Sequence, residues 1–463
     1  MALAMLSEAT IVENLTLRTA DLTPIGPPSN LVPLSLVSRT YYKTLKDDCL
    51  PDVFRRIFER RFDMSALLRR LGPLAPSDVA AELSRRYTSL KMIRRGSLGD
   101  PNLRDALMRA YFMLLEDDGD NAMQIAWSNL SETVENILRC SLQKDSTIDQ
   151  DVMALAIVLC SALSQTLLTD GHGSDDIREL LVPFAFSSRH CPLSELPERD
   201  FYPLRRCAPE ELSKLFPSSH YISYFGCTLR YNTPPVAAYA IQAYLAYYED
   251  RPLGVPDKHD MPQTSANVRH PPGVTLADIE EYNSRTTRLR RRSTNPPSLQ
   301  YDALWRRVTS RIDVDRPVSS RHELGMLSGS WRGTCLDGLK ITNAEGADIA
   351  HYRTFKDGPG GGTQRPSRDP VDIIVTGEVV PPSTDPQHSS ALGPFKFYGR
   401  VRPSDRLVVL VREPADPTMD HLGRDVFRGY LLSSRHMVGR RRHAFPDATE
   451  SYETLWNLRR SEE

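Results

Sequence analysis

Few of the features that announce a chemical mechanism occur in this chain. Seven cysteines are scattered through 463 residues, with no CxxC pair and no Cys/His cluster at metal-ligand spacing. An odd, dispersed set fits reduced thiols inside a cell rather than a disulfide framework or a zinc site, and no metal or cofactor is expected. Charge of one sign is lacking too. The 58 Lys and Arg stand against 59 Asp and Glu, where a nucleic-acid-binding chain would carry a basic domain. Long apolar runs are absent. The most apolar stretch, Val152 to Leu163, is twelve residues. That is short of the roughly 18–20 that cross a bilayer, and it reads as a core helix. The first residues, Met1-Ala-Leu-Ala-Met-Leu-Ser-Glu8, have no basic start and meet an acid too early for a signal peptide. Cytoplasm or nucleus is the expected compartment, with no membrane or nucleic-acid partner.

Catalytic signatures are missing as well. There is no nucleophile elbow, Walker loop, dinucleotide fingerprint or HExxH. Gly358-Pro-Gly-Gly-Gly362 lacks the Lys-Ser/Thr of a phosphate loop and reads as a flexible insertion between strands. Gly171-His-Gly-Ser174 resembles an oxyanion turn, but nothing nearby supplies a triad. The acidic loop Glu116-Asp-Asp-Gly-Asp-Asn121 fails as a calcium loop. Counted from Asp117, position 12 would be Ser128, where Glu is needed. It reads as a solvated helix end. A non-catalytic protein is expected, with a Ser/His/Asp cluster assembled from distant residues left open.

What the chain does have is a series of short β-type runs near its C-terminus, between Leu324 and Arg442. These are Leu327-Ser-Gly-Ser-Trp331-Arg-Gly333-Thr, Asp372 to Gly377, Phe395 to Val401, Arg406 to Arg412, Val426 to Leu432 and Met437 to Arg440. Each is rich in β-branched and aromatic residues and bounded by turn formers. Gly333, Gly399, Gly429 and Gly439 recur inside them, as in a sheet that curls or whose backbones approach closely. We expect a small antiparallel β-barrel. Gly329-Ser-Trp331 matches the GxW of lipocalin-like barrels, in which a late Arg packs over the Trp ring. Arg440, Arg441 and Arg442 stand at the right end of the chain for that contact. Residues 395–442 hold eleven Lys and Arg against five acids, which favours an anionic partner. Alternation puts Phe395, Phe397, Gly399 and Val401 on one face and Lys396, Tyr398, Arg400 and Arg402 on the other. A basic rim beside an aromatic wall follows, with Trp331, Tyr398, Arg400, Arg402, Arg428, Tyr430 and Arg440 as candidate ligand-binding residues.

The N-terminal half reads as helices. Apolar residues recur at three- and four-residue spacing through Leu31, Leu34, Val37, Leu45, Val53, Phe54, Ile57 and Phe58. Helices continue from Phe62 to about Phe186. A Pro-rich stretch then surrounds one clear helix, Val236 to Tyr248, started by Pro234-Pro235, whose tyrosines read as a packing surface. Arg285 to Arg292 resembles a nuclear-localisation patch but reads first as a solvated linker flank.

Leu31…Leu34-Ser-Leu-Val37-Ser-Arg39…Tyr42…Leu45…Leu50…Val53-Phe54…Ile57-Phe58 resembles the second and third helices of an F-box. The family's first-helix Leu-Pro is Leu6-Ser7 here. Together with the C-terminal strand series, Arg69-Arg70-Leu-Gly-Pro73 and Leu114 to Ala122, the chain is similar over about 30–442 to large fungal F-box proteins. The resemblance implies a substrate receptor of an SCF-type, cullin–RING ubiquitin ligase. Leu6, Ile11, Leu31, Leu34, Val37, Leu45 and Phe54 would bind the Skp-type adaptor, and the barrel would recognise a protein or peptide. The alternative is a lipocalin-like barrel that binds a small ligand, with purely structural N-terminal helices.

The fold class expected is therefore α+β and multidomain. Degenerate F-box-like helices occupy 5–62, a helical domain 63–190 and a Pro-rich connection with one helix 191–320. A barrel at 321–445 and a C-terminal helix or tail at 446–463 complete it.

Overall fold

The computed structural model describes residues 8–37, 42–43, 51–143, 147–166, 174–186, 219–232, 236–249, 296–311, 330–337, 351–356, 373–379, 395–401, 407–416, 418, 424–433, 436–443 and 454–460. Helices form the N-terminal and central parts, and an antiparallel sheet forms the C-terminal part. Two compact units emerge, each drawn from three stretches of chain. The first combines Met1–Gly173, Pro217–Pro234 and Ser293–Pro317; the second combines Ser174–Phe216, Pro235–Arg292 and Val318–Glu463. The linear division expected at 63–190 and 191–320 is thus replaced by an interleaved one.

In the first unit the helices are α1 (Glu8–Asp21), α2 (Leu31–Leu36), α3 (Pro51–Glu59), α4 (Ser65–Leu71), α5 (Pro76–Arg95), α6 (Leu103–Leu115), α7 (Asp120–Trp127), α8 (Leu130–Ser141) and α9 (Gln150–Thr166). Local chemistry accounts for α5. Pro76 opens it, Asp78 sits in the first turn, Arg94 and Arg95 sit in the last, and Gly96 closes it in the left-handed conformation. It buries Val79, Leu83, Tyr87, Leu90 and Ile93, a stripe at helical spacing. α6 is buried at Leu103 and from Ala106 to Leu115.

A hairpin from far along the chain completes this core. Strands β1 (Ser219–Tyr224) and β2 (Cys227–Asn232) pair antiparallel. Their two-residue turn, Phe225-Gly226, has positive φ at both positions, the geometry that matches strand twist. β3 (Thr309–Arg311) adds to β2, following a 3₁₀ turn at Pro297–Tyr301 and helix α10 (Asp302–Val308). Tyr224 and Phe225 enter the helical core against Phe112 and Phe58. That burial is why the hairpin belongs to the helices and not to a connecting region.

The second unit contains α11 (Ser174–Phe186), α12 (Val236–Glu249) and eight strands. These are β4 (Ser330–Asp337), β5 (His351–Lys356), β6 (Ile373–Val379), β7 (Phe395–Val401), β8 (Leu407–Pro414), β9 (Asp425–Ser433), β10 (His436–His443) and β11 (Thr454–Arg460). All ladders are antiparallel, and the order β10-β11-β4-β5-β6-β7-β8-β9 closes through β9 and β10. The shortest ladder is β5–β6, with Phe355 opposite Val379 and Lys356 opposite Glu378. Inward residues form one core of Trp331, Phe397, Val401, Val408, Leu410, Phe427, Leu431, Met437, Trp456 and Leu458. A Cβ at Gly399, Gly429 or Gly439 would lie 2.0–2.2 Å from a carbonyl oxygen of the next strand. Gly429 faces Gly439 across the ladder, and the Trp456 ring lies beside Gly439. These glycines let the backbones close up and leave room for the indole.

Two expectations are corrected here. Residues 454–460, within the expected C-terminal helix or tail, are a strand between β10 and β4. Its residues Thr454 to Leu458 are all buried, so no alternation marks it as a strand. Because β11 intervenes, the residue opposite Trp331 is Arg460, not one of Arg440 to Arg442.

Candidate docking face

α1 turns Val12, Thr16, Leu17 and Ala20 inward, and α3 buries Val53, Ile57 and Phe58. Exposed ion pairs, Arg56–Glu13 and Arg60–Asp21, both 2.5 Å, run between these helices. Pairs so exposed contribute little. The loop after α1 is held more firmly. Arg61, 4% exposed, donates to the carbonyls of Ala20, of Gly26 at 2.6 Å and of Thr23 at 2.5 Å. Gln124 accepts from the Gly26 amide at 2.9 Å and donates to the Pro24 carbonyl at 3.0 Å. Gly26 has φ +78°, and a Cβ there would meet the Trp127 ring at 2.6 Å. Buried side-chain hydrogen bonds therefore fix the Pro24-Ile-Gly-Pro-Pro28 loop, and with it the start of α2.

Part of the outer surface of this module is apolar. Ile11 and Leu15 lie one turn apart on α1, and Leu22 and Ile25 follow in the loop. α2 has no buried residue: Leu31 and Leu34 are half-buried, while Val32, Leu36 and Val37 are 62%, 76% and 70% exposed. Tyr42 is exposed as well. Of the twelve large hydrophobic residues exposed among the described residues, eight fall between positions 11 and 42. Scattered exposed apolar residues are ordinary, but a concentration of this kind marks an interaction surface.

Of the expected adaptor-binding residues, Ile11 and Val37 are exposed and Leu31, Leu34 and Phe54 are half-buried. Leu6 and Leu45 lie outside the described residues. Leu15, Leu22, Val32, Leu36 and Tyr42 were not anticipated. The signal was available in α2, Leu-Val-Pro-Leu-Ser-Leu. A helix this apolar all round asks for cover on every side.

The expected ligand-binding residues of the barrel do not share one face. Trp331 is 1% exposed and inside the core. Tyr398 is half-buried and alternates with inward Phe397; the side chains of Arg400 and Arg402 lie outside the described residues. Arg428, Tyr430 and Arg440 are on the outer wall, on strands that α12 packs against. Arg440 donates to the carbonyls of Ala185 at 2.7 Å and Phe184 at 3.2 Å in α11. His436 and Asn457 hydrogen-bond at 2.6 Å, and Gln242 of α12 meets His436 at 3.3 Å. These contacts make that wall a packing interface; Tyr244 of α12 meets Phe186 of α11 edge-on at 5.3 Å.

The acidic loop is structural rather than merely solvated. Asp117 accepts from the amides of Gly119 at 3.2 Å and Ala122 at 2.8 Å, capping α7. Asp118 accepts from Ser65 and from the Ser298 amide at 2.9 Å. Burial pushes the Asp117 carboxyl up to about 6.

No protein-family model matches the chain, and no curated protein matches it. Among solved structures, a redesigned β-barrel is similar at 13% identity, over 30% of this chain and 94% of its own length, with a TM-score of 0.19.

Proposed function

We propose that the chain is a substrate receptor of an SCF-type ubiquitin ligase, non-catalytic itself and acting in cytoplasm or nucleus. The first helices would dock on a Skp-type adaptor, and the lipocalin-like barrel would hold a protein or peptide cargo. One observation carries the reading: eight of the twelve large hydrophobics exposed among the described residues lie at positions 11–42, around a loop fixed by Arg61 and Gln124. The alternative, an apolar small ligand deep in the bore, is less favoured, because Trp331, Phe397, Phe427 and Trp456 occupy the core there.

Co-expression with the adaptor tests it. Wild type is expected to co-purify, and Leu36→Asp plus Val37→Asp to lose the adaptor. The double variant should keep its melting temperature, since exposed substitutions move stability by about 0.5 kcal/mol or less. Adaptor retained at wild-type level by the folded double variant would exclude the docking face.

A further inference from the structure

One end of the barrel interior carries charge beside the apolar core formed by the described inward residues. Arg412 on β8, Asp425 on β9 and Arg441 on β10 continue the inward rows of Leu410, Phe427 and Gly439. Both guanidinium groups reach the same carboxylate oxygen, Oδ2 of Asp425, that of Arg441 at 3.1 Å. The side chains of Arg412 and Asp425 are 4% and 1% exposed, whereas that of Arg441 is 18% exposed and meets solvent. Arg441 also lies over the Phe427 ring, 5.9 Å from its centroid. Phe427 in turn meets the Trp456 ring edge-on at 6.0 Å. Trp456 is fully buried, and its indole Nε1 has no acceptor among the described residues. A buried donor without an acceptor is costly, and folded proteins keep few of them.

We propose that this end of the barrel binds a carboxylate borne by an organic ligand, received by Arg441, with Trp456 Nε1 as a second donor and the Phe427 and Trp456 rings as the adjoining wall. A planar guanidinium offers a carboxylate two parallel hydrogen bonds, which a water or an amide cannot match. Asp425 anchors Arg412 and orients Arg441. The inference rests on the receptor reading for the barrel's role, so the carboxylate is first that of an acidic side chain or chain end of a cargo protein. A small organic acid presents the same group.

The test titrates the full chain with 3-phenylpropionate, with its primary amide, and with a pentapeptide bearing one Glu and blocked at both ends. Thermal shift and tryptophan fluorescence are the readouts. At least one carboxylate should bind and the amide should not, with affinity falling as salt rises. Arg441→Gln and Trp456→Phe should each weaken binding by about tenfold or more, the loss of one charge-assisted or previously unmet hydrogen bond. Binding of the peptide alone assigns the site to protein cargo, and binding of the small acid alone assigns it to a metabolite. Equal binding of acid and amide, unchanged affinity in Arg441→Gln, or no carboxylate binding at millimolar concentration overturns the inference. Should the variants not fold, the wild-type difference between acid and amide decides by itself. Adaptor co-purification is read separately, so its persistence without carboxylate binding removes this inference and leaves the receptor reading standing.

Discussion

Each unit buries a cluster of charge, and the two clusters are built differently. In the helical unit, Arg86 is fully buried and donates to Glu116 at 2.6 Å and to the Tyr224 hydroxyl at 2.9 Å. It lies 3.8 Å from Glu82, which also receives Arg109, and 4.8 and 5.0 Å from the Phe58 and Phe62 ring centroids. Tyr224 donates to the other oxygen of Glu116 at 2.5 Å. Arg85, 41% exposed, approaches Glu82 as well at 3.8 Å, so three cations meet two anions there. In the barrel, among the described residues, two cations share one carboxylate, and one of the cations is partly exposed. The helical network ties α5 and α6 to the hairpin strand β1, whereas the barrel cluster joins three neighbouring strands and reaches solvent through Arg441.

The comparison can be broken first at Arg86. Arg86→Met leaves Glu116 without its guanidinium partner in the core, and a loss of about 3–5 kcal/mol is expected in urea denaturation. A loss below 1 kcal/mol would mean that the network is not what fixes the hairpin. Asp425→Asn is expected to cost less, about 1–3 kcal/mol, because Arg441 can turn to water. Its cost should shrink when a carboxylate ligand is present. A loss equal to that of Arg86→Met would make the barrel cluster as closed as the helical one.

The smallest effect lies at Asp117. Its carboxyl is raised by burial to about 6 in the folded protein, above the ordinary 3.8, with Asp63 and Asp118 adding to the rise. The folded state thus holds the proton more tightly, and this group's contribution is lost as pH rises from about 4 through 6. Asp117→Asn keeps an oxygen for the Ala122 amide and should flatten that part of the melting-temperature profile. It should leave the variant at least as stable as wild type at pH 7. An unchanged profile would place the titration elsewhere.

Much of this was legible in the sequence, and for one reason: a strand with a dry side and a wet side alternates. Phe397 and Val401 inward against exposed Lys396 could be read directly from spacing. β11 could not, because Leu455 and Asn457 are covered outside while Trp456 and Leu458 are buried inside. The same double burial misled the reading of Tyr430 and Arg440, which helices cover from outside. At the candidate docking face, Val37 and Leu34 followed from helical spacing, but the exposure of Leu15 and Leu36 did not. The charge clusters were illegible for a different reason. Arg86 finds Glu116 thirty residues away and Tyr224 138 residues away, and no local pattern encodes such pairings.

That last separation also bears on how the protein is made. A ribosome adding about 5–20 residues per second leaves roughly 7–30 s between the synthesis of Arg86 and that of Tyr224. During this interval the helices around Phe58, Phe62 and Phe112 have no hairpin to cover them. Glu116 can meet Arg86 early, but the nascent helical unit still presents an open aromatic seam. Synthesis thus has an interval in which the helical unit exposes apolar surface that the finished fold covers.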